Sequence, residues 1–491
     1  MKHTWIRLLA LLLAMIMMGL TLIACAETQE PDDKDDEPQG ELPGDTTPDE
    51  DEEEDPYNVP DSLPAVTYNG AEFSILYYND VQAANFFVQD KTGDLIDDAI
   101  WSARASTEER FDVTITANKS GAENEAAHVA LINTQMTAGA TEFDIANVHD
   151  VQGGNLSIQG VLVNALEVEQ FDFDKPWWSK KAVESMTYMD QLYLISSAIS
   201  NNAMGSTEVV FFNKQLMADY GMEEPYEKVL NMDWYLEDMF ASIEDVYQDN
   251  NDNGKDAEDM FGLLMPEEMY AIFESYGINL IEKSEDGTEL ILNASDPRVY
   301  DLIDKYYTIR YDLDGGYTDV RNTTADMFKN SQGIYLTISL NYAITHFRDA
   351  TFAYGIVPYP MLDDAQGEYY SGYTDRFMVI PHTCPDVDYV GTIVESMSAE
   401  GYRQMLPAYY ETALKGRYTH DSESVQMLEL IRESRVIDFA YIYSNDTACT
   451  RAIYSLLKDK NHDYASFYAS KEPAALKRIE ELTTFFESMA K

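Results

Sequence analysis

The chain has 491 residues and carries 33 Lys and Arg against 88 Asp and Glu, a net charge of −55. That surplus of acid excludes nucleic-acid binding, which needs a positive footprint, and electrostatic docking on anionic lipid. The length allows two to four domains. With 45% hydrophobic residues and 34 tyrosines against 5 tryptophans, the composition describes a soluble protein with a sizeable core and amphipathic surfaces. At the start, Lys2 and Arg7 precede an unbroken apolar run over residues 8–24. A short positive region before such a run reads as a secretory signal, and the run falls short of the roughly 20 apolar residues a spanning helix needs.

Residues 26–56 hold sixteen acids, one lysine and five prolines. Such a segment cannot bury a core and is expected to be disordered, with the folded part starting near Ala65. Residues 71–78 read as a strand, and Leu95, Ile96, Ala99, Ile100 and Ala103 fall at helical spacing. Residues 111–116 form a β-branched strand, 123–137 a helix and 142–148 a third strand. The order β-α-β-α-β predicts a parallel sheet with helices on its faces. Such sheets bind ligands at the carboxyl ends of their strands, where 77–80 and 147–150 lie. Further on, 208–213 is a strand, 214–220 a helix ended by Gly221, and the stretch to about 345 is rich in helix. Strands follow at 352–357 and 376–380, and the chain from about Asp388 reads as helices. Cys384 and Cys449 form either one disulfide or two buried thiols.

Leu22-Ile23-Ala24-Cys25 resembles the lipobox of bacterial lipoproteins, in which the cysteine becomes the lipidated first residue. That implies a signal over 1–24, an anchor at Cys25 on the outer face of the cell membrane carrying a fatty acyl group such as palmitate, and an acidic linker over 25–64. Other stretches resemble the extracellular solute-binding proteins of ABC importers, the class that includes maltose-binding protein, and within it the Gram-positive lipoproteins. FFNKQLMADYGMEEPYEKVLNMDWYLEDM, from Phe211, resembles the class's run of aromatic-Asn-Lys, helix, Gly, Pro, and a Trp opening a helix. Phe352 to Pro360 resembles its second crossing strand, and Phe143 to Gly154 its strand and His-Asp loop. The resemblance covers about 66–491. It implies a periplasmic-binding-protein-like α/β fold with two hinged lobes and a ligand cleft between them. One lobe is expected over 66–205 with 355–405, the other over 206–354 with 406–491.

A sugar presents hydroxyls around an apolar ring face, so its binder needs carboxylates, amides and aromatics. Tyr78 and Asn79 lie at a strand end. The resemblance implies Asp150 as a sugar-binding carboxylate, with a helix N-cap as the alternative. It also implies Ser206 where hinge meets cleft, Glu268 and Tyr270 as acidic and aromatic contacts, and Asn341 and Tyr342 after a strand. Trp178 is the indole of Trp177-Trp178 expected to face the cleft. Tyr373 is an expected aromatic contact, and Arg376 either clamps a ligand or forms an internal salt bridge. Asp249, Asn251 and Asn253, with Gly254 at the turn, match the first half of a calcium loop. Position 12 is Met260, so structural calcium and a plain polar turn both remain; no other cofactor is expected.

GxGxxG, GxxxxGK[ST], HExxH and GxSxG are all missing, so no catalytic activity is expected. The expected role is capture of a solute, a sugar or oligosaccharide, by a monomer that delivers it to an ABC permease. Cell-surface sensing or adhesion, or an extracellular glycosidase, are the alternatives.

Overall fold

The structure, a computed structural model, describes residues 55–269, 271–414, 422–444 and 447–490. Cys25, Tyr270 and the acidic run up to Glu54 lie outside the described residues.

Fourteen strands are described. The first six are β1 (Ala71–Tyr77), β2 (Val113–Lys119), β3 (Ile145–His149), β4 (Glu208–Asn213), β5 (Tyr247–Gln248) and β6 (Met260–Pro266). Then come a small hairpin, β7 (Ile281–Lys283) with β8 (Leu290–Leu292), and β9 (Gly316–Asp319), β10 (Gly333–Ser339) and β11 (Tyr354–Val357). The last are β12 (Ser371–Gly372), β13 (Arg376–Val379) and β14 (Arg435–Val436). The first sheet runs β13-β3-β1-β2, with β1 parallel to β2 and β3, and β13 antiparallel at its edge. The second runs β11-β4-β10-β6-β5, with β9 added parallel to β6.

Local chemistry sets these boundaries. The helix Leu95–Phe111 starts where the Asp94 side chain accepts from the Ile96 amide, and stops where Asp112 turns left-handed at φ 50°. The helix Glu125–Ala138 is capped by Asn124 and ended by Gly139 at φ 65°, a conformation that favours glycine. β4, EVVFFN, is buried at every position, as a central strand covered on both faces must be.

The stretch expected to be mainly helical up to 345 in fact supplies the core of the second sheet. β6, MFGLLMP, is buried throughout. A continuous apolar run carries no alternation, so periodicity alone cannot tell a fully buried strand from a buried helix. The expected lobe limits also shift. β11 pairs with β4 of the second sheet, so the return to the first lobe falls after Val357 rather than at 355. The helix Leu406–Leu414 packs on the helix Leu95–Phe111, and Phe439–Ser444 packs on Asp150–Ser157; both lie on the first lobe.

Packing also begins earlier than Ala65. The Tyr57 ring lies 5.7 Å from Tyr402. Asp61 accepts two 2.8 Å hydrogen bonds from Arg110 and one of 3.0 Å from Arg403, whose guanidinium also holds the Val59 carbonyl. One residue read as part of the solvated leash is therefore a clasp. Burial by itself would raise the Asp61 carboxyl, but the hydrogen bonds from Arg110 and Arg403 hold it well below its ordinary 3.8. The Asp61 contribution is thus present above that ordinary value and lost in stronger acid. Replacement Asp61→Ala is expected to destabilise the protein by about 2 kcal/mol near neutral pH, measured by urea denaturation, because two guanidinium groups lose their shared acceptor.

Cys384 and Cys449 are free thiols, Cys449 buried.

Candidate functional site

Three chain passes link the sheets. Residues 205–207 lead into β4, 371–375 lead into β13, and β14 runs alongside. Thr207 bridges to Tyr373 in antiparallel register, Ser206 Oγ donates to the Thr374 carbonyl, and β12 pairs in parallel with β14. The paired passes form the hinge. At its centre the buried Asp375 carboxylate accepts from Ser196 Oγ and from Asn202 Nδ2 at 2.9 Å. Burial pushes this carboxyl up to about 6, although those hydrogen bonds oppose the shift.

A cavity of about 670 Å³ opens beside the hinge. The first lobe contributes Asn85 and Asp94, and the second contributes Asn341, Thr345 and Arg348. Asn202 and Ser206 line the hinge side, and Val81 stands 80% exposed at the rim. Arg348 Nη1 reaches Asp94 Oδ2 at 2.9 Å, an ion pair that ties one lobe to the other. The cavity therefore offers amides, hydroxyls, a paired charge and an exposed apolar side chain, the mixture that a polyhydroxylated ring requires.

Of the expected contacts at the strand ends, Asn341 lines the cavity, and Tyr78, Asn79, Asp150, Glu268 and Tyr342 lie outside its lining. On the first lobe, Tyr78 and Asn79 follow β1, and Asp150 follows β3. Tyr78 Oη donates to the Glu123 carbonyl at 3.0 Å, and its ring lies 6.2 Å from His128. The Asn79 side chain is occupied as a cap, accepting from the Val81 amide at 2.9 Å. Asp150 opens the helix Asp150–Ser157; its Oδ1 accepts from the Val151 amide and contacts His149 Nδ1. Asp150 is buried and does not line the cavity. On the second lobe, Glu268 follows β6 and Asn341 and Tyr342 follow β10. Arg321 pairs with Glu208 at 2.9 Å and donates to the Glu268 carbonyl at 3.0 Å. Tyr342 Oη donates to Asn322 at 3.2 Å, and Asn341 Oδ1 accepts from Ser339.

Two expectations need correction, and a third resolves to one of its two alternatives. Trp178 does not face a cleft. It is 4% exposed, packed on Phe171 and Phe173. Trp177 Nε1 and Trp178 Nε1 donate to the two oxygens of buried Glu395, at 2.9 and 3.1 Å, so one internal acceptor draws both indoles inward. Tyr373 is 1% exposed and bonded to Ser196, because its backbone belongs to the hinge. Arg376 takes the internal alternative, pairing with Glu125.

In the calcium-like loop, Asp249 spends Oδ1 on the amides of Asn251 and Asp252 and Oδ2 on that of Gly254. Asn251 Nδ2 donates to Asp256 and Glu258, and the Asn253 amide donates back to Asn251. The loop closes on its own polar groups. Among the described residues no three His, Cys, Asp or Glu side chains converge as a metal-holding group.

The cavity brings together Ser206 and Asn341 of the sequence-derived candidates. Asn85, Asn202, Thr345 and Arg348 were not singled out, and no local motif marks them. Asp94 and Arg348 are 254 residues apart and meet only through the fold.

No protein-family model matches the sequence, and no curated protein matches it either. Solved structures do match. The ABC substrate-binding protein Lmo0181 from Listeria monocytogenes, in complex with cycloalternan, aligns at 13% identity over 86% of this chain and 99% of its own, with a TM-score of 0.51. The galacto-N-biose-/lacto-N-biose I-binding protein of the ABC transporter from Bifidobacterium longum aligns at 10% identity over 85% and 98%, TM-score 0.52. UspC of M. tuberculosis aligns at 14% over 82% and 99%, TM-score 0.54. The fold is periplasmic-binding-protein-like, with two α/β lobes. At these identities the likeness establishes architecture alone, and the site must be argued from its own residues.

Proposed function

We propose that this chain is a lipid-anchored extracellular solute-binding protein of the Gram-positive lipoprotein type. It captures a sugar or oligosaccharide between its lobes and delivers it, as a monomer, to an ABC permease. The observation that carries this reading is the cavity of about 670 Å³ to which both lobes and the hinge contribute side chains. A solute touching both lobes binds the closed form better than the open one, and that difference in affinity drives closure. The ligands of two matching structures, cycloalternan and lacto-N-biose, are of this chemical class. The lipobox at Cys25 supports anchoring, because a tether holds the loaded protein near its permease. The reading needs no bond-breaking step.

A thermal-shift screen against mono- and oligosaccharides tests it. One class is expected to raise the melting temperature, with an affinity on the order of micromolar, about 8 kcal/mol. A protein indifferent to every carbohydrate, or one that releases new reducing ends from oligosaccharides, contradicts the proposal.

Arg348→Ala separates closure from stability. Its pair with Asp94 is partly exposed, so its loss is expected to alter stability by less than about 1 kcal/mol. Sugar affinity is expected to fall about fivefold, since the pair favours the closed form; titration calorimetry reads the difference.

A further inference from the structure

A second, narrower pocket of about 30 Å³ adjoins the first, sharing Asn201 and Tyr409 with it, where residues 197–204, the turn at 401–409 and the segment 432–435 meet. Its polar lining consists chiefly of donors. Arg432 and Arg435 present guanidinium groups, Tyr409 and Tyr402 phenols, Ser200 a hydroxyl, and among the described residues no carboxylate lines it. Arg432 is already neutralised by Glu429 at 2.8 Å and Glu433 at 3.3 Å. Arg435 is not. Its Nε donates to the Arg432 carbonyl at 3.1 Å and its guanidinium lies 5.6 Å from the Tyr373 ring, but among the described residues it has no ion-pair partner. Tyr409 is 3% exposed, and among the described residues its hydroxyl has no hydrogen-bond partner. A buried hydroxyl in that state costs on the order of 1–3 kcal/mol, and an unpaired guanidinium set back from the surface costs more.

Both costs disappear if an acceptor carrying one negative charge sits between them. We infer that this pocket binds a single small anion of the chloride class, held by Arg435 and Tyr409. The volume suits a halide-sized ion and is too small for a sugar ring. The chain as a whole repels anions, so the site depends on the local positive charge of Arg435. By joining three chain passes the ion braces the hinge. The inference is independent of which solute the cleft takes.

Trp177 lines the same pocket, buried from solvent, so it reports occupancy. Bromide is titrated against gluconate at constant ionic strength, and tryptophan fluorescence is followed. The wild-type protein is expected to show a saturable quenching component. Its midpoint is expected to rise at least tenfold in Arg435→Gln and about threefold in Tyr409→Phe, a variant that removes only an unbonded hydroxyl and so keeps the fold. In crystals grown in bromide, an anomalous peak is expected within hydrogen-bond reach of Arg435 and Tyr409 Oη. Quenching that is linear and equal in the wild type and Tyr409→Phe, or bromide crystals with no peak in the pocket, overturns the inference.

Discussion

Replacing Gly401 with alanine is expected to destabilise the protein by more than about 4 kcal/mol, although helix propensity alone predicts a gain of about 1 kcal/mol. A Cβ on Gly401 would lie 1.8 Å from the Ala198 carbonyl oxygen and 2.8 Å from its carbon. Both are backbone atoms, so no side chain can rotate to make room. The π-helical turn Gly401–Met405 and the segment carrying Ala198 would have to separate. That segment continues into Asn201, Asn202 and Ser206, so the damage reaches the hinge and the cavity wall. Urea denaturation decides between the two opposed signs. An unchanged or raised midpoint would show that the close approach does not constrain the fold.

The second large effect is a pH dependence centred on Glu395. Burial pushes its carboxyl up to about 8, against the lowering effect of the indole donors Trp177 and Trp178. The side chain is 1% exposed. Its folded value is above its unfolded value of 4.5, so its contribution is fully present below 4.5 and is lost as pH rises through about 8. A displacement of that size is on the order of 5 kcal/mol. Asp438, raised to about 7 by burial, and Asp375 act in the same direction. Stability is therefore expected to decline between about pH 4.5 and pH 8 and to level off above that, and Glu395→Gln is expected to flatten much of that slope. The variant starts lower near pH 4.5 by about 1–3 kcal/mol, because glutamine has one acceptor for two indole donors. Thermal melts across this range, on both proteins, supply the comparison. Parallel slopes would remove Glu395 from the account.

What could be read from the sequence depended on whether a residue's partner lay nearby. The strand at 208–213 was legible to the residue because its β-branched and aromatic run is bounded by a capping Asn213. The first sheet's alternation of strand and helix was legible for the same reason. β6 was not, since a fully buried strand has no period of its own. Among the site candidates, Ser206 and Asn341 follow from their places at a crossing and a strand end, and they meet in the cavity. Trp178 and Tyr373 carry the side chains a sugar binder needs, yet their environment is set by Glu395 and Ser196, distant in sequence. Residue type alone cannot show whether an aromatic faces a cleft or an internal acceptor. The ion pair between Asp94 and Arg348 and the unpaired Arg435 exist only once the chain has folded.

The measurement closest to the central claim is a crystal structure of the protein with the sugar that gives the thermal shift. The account predicts the sugar in the cavity beside the hinge, contacting Asn341 or Thr345 from one lobe and Asn85 or the Asp94 region from the other. A sugar bound on the outer surface of a single lobe, with this cavity unaltered, would contradict it.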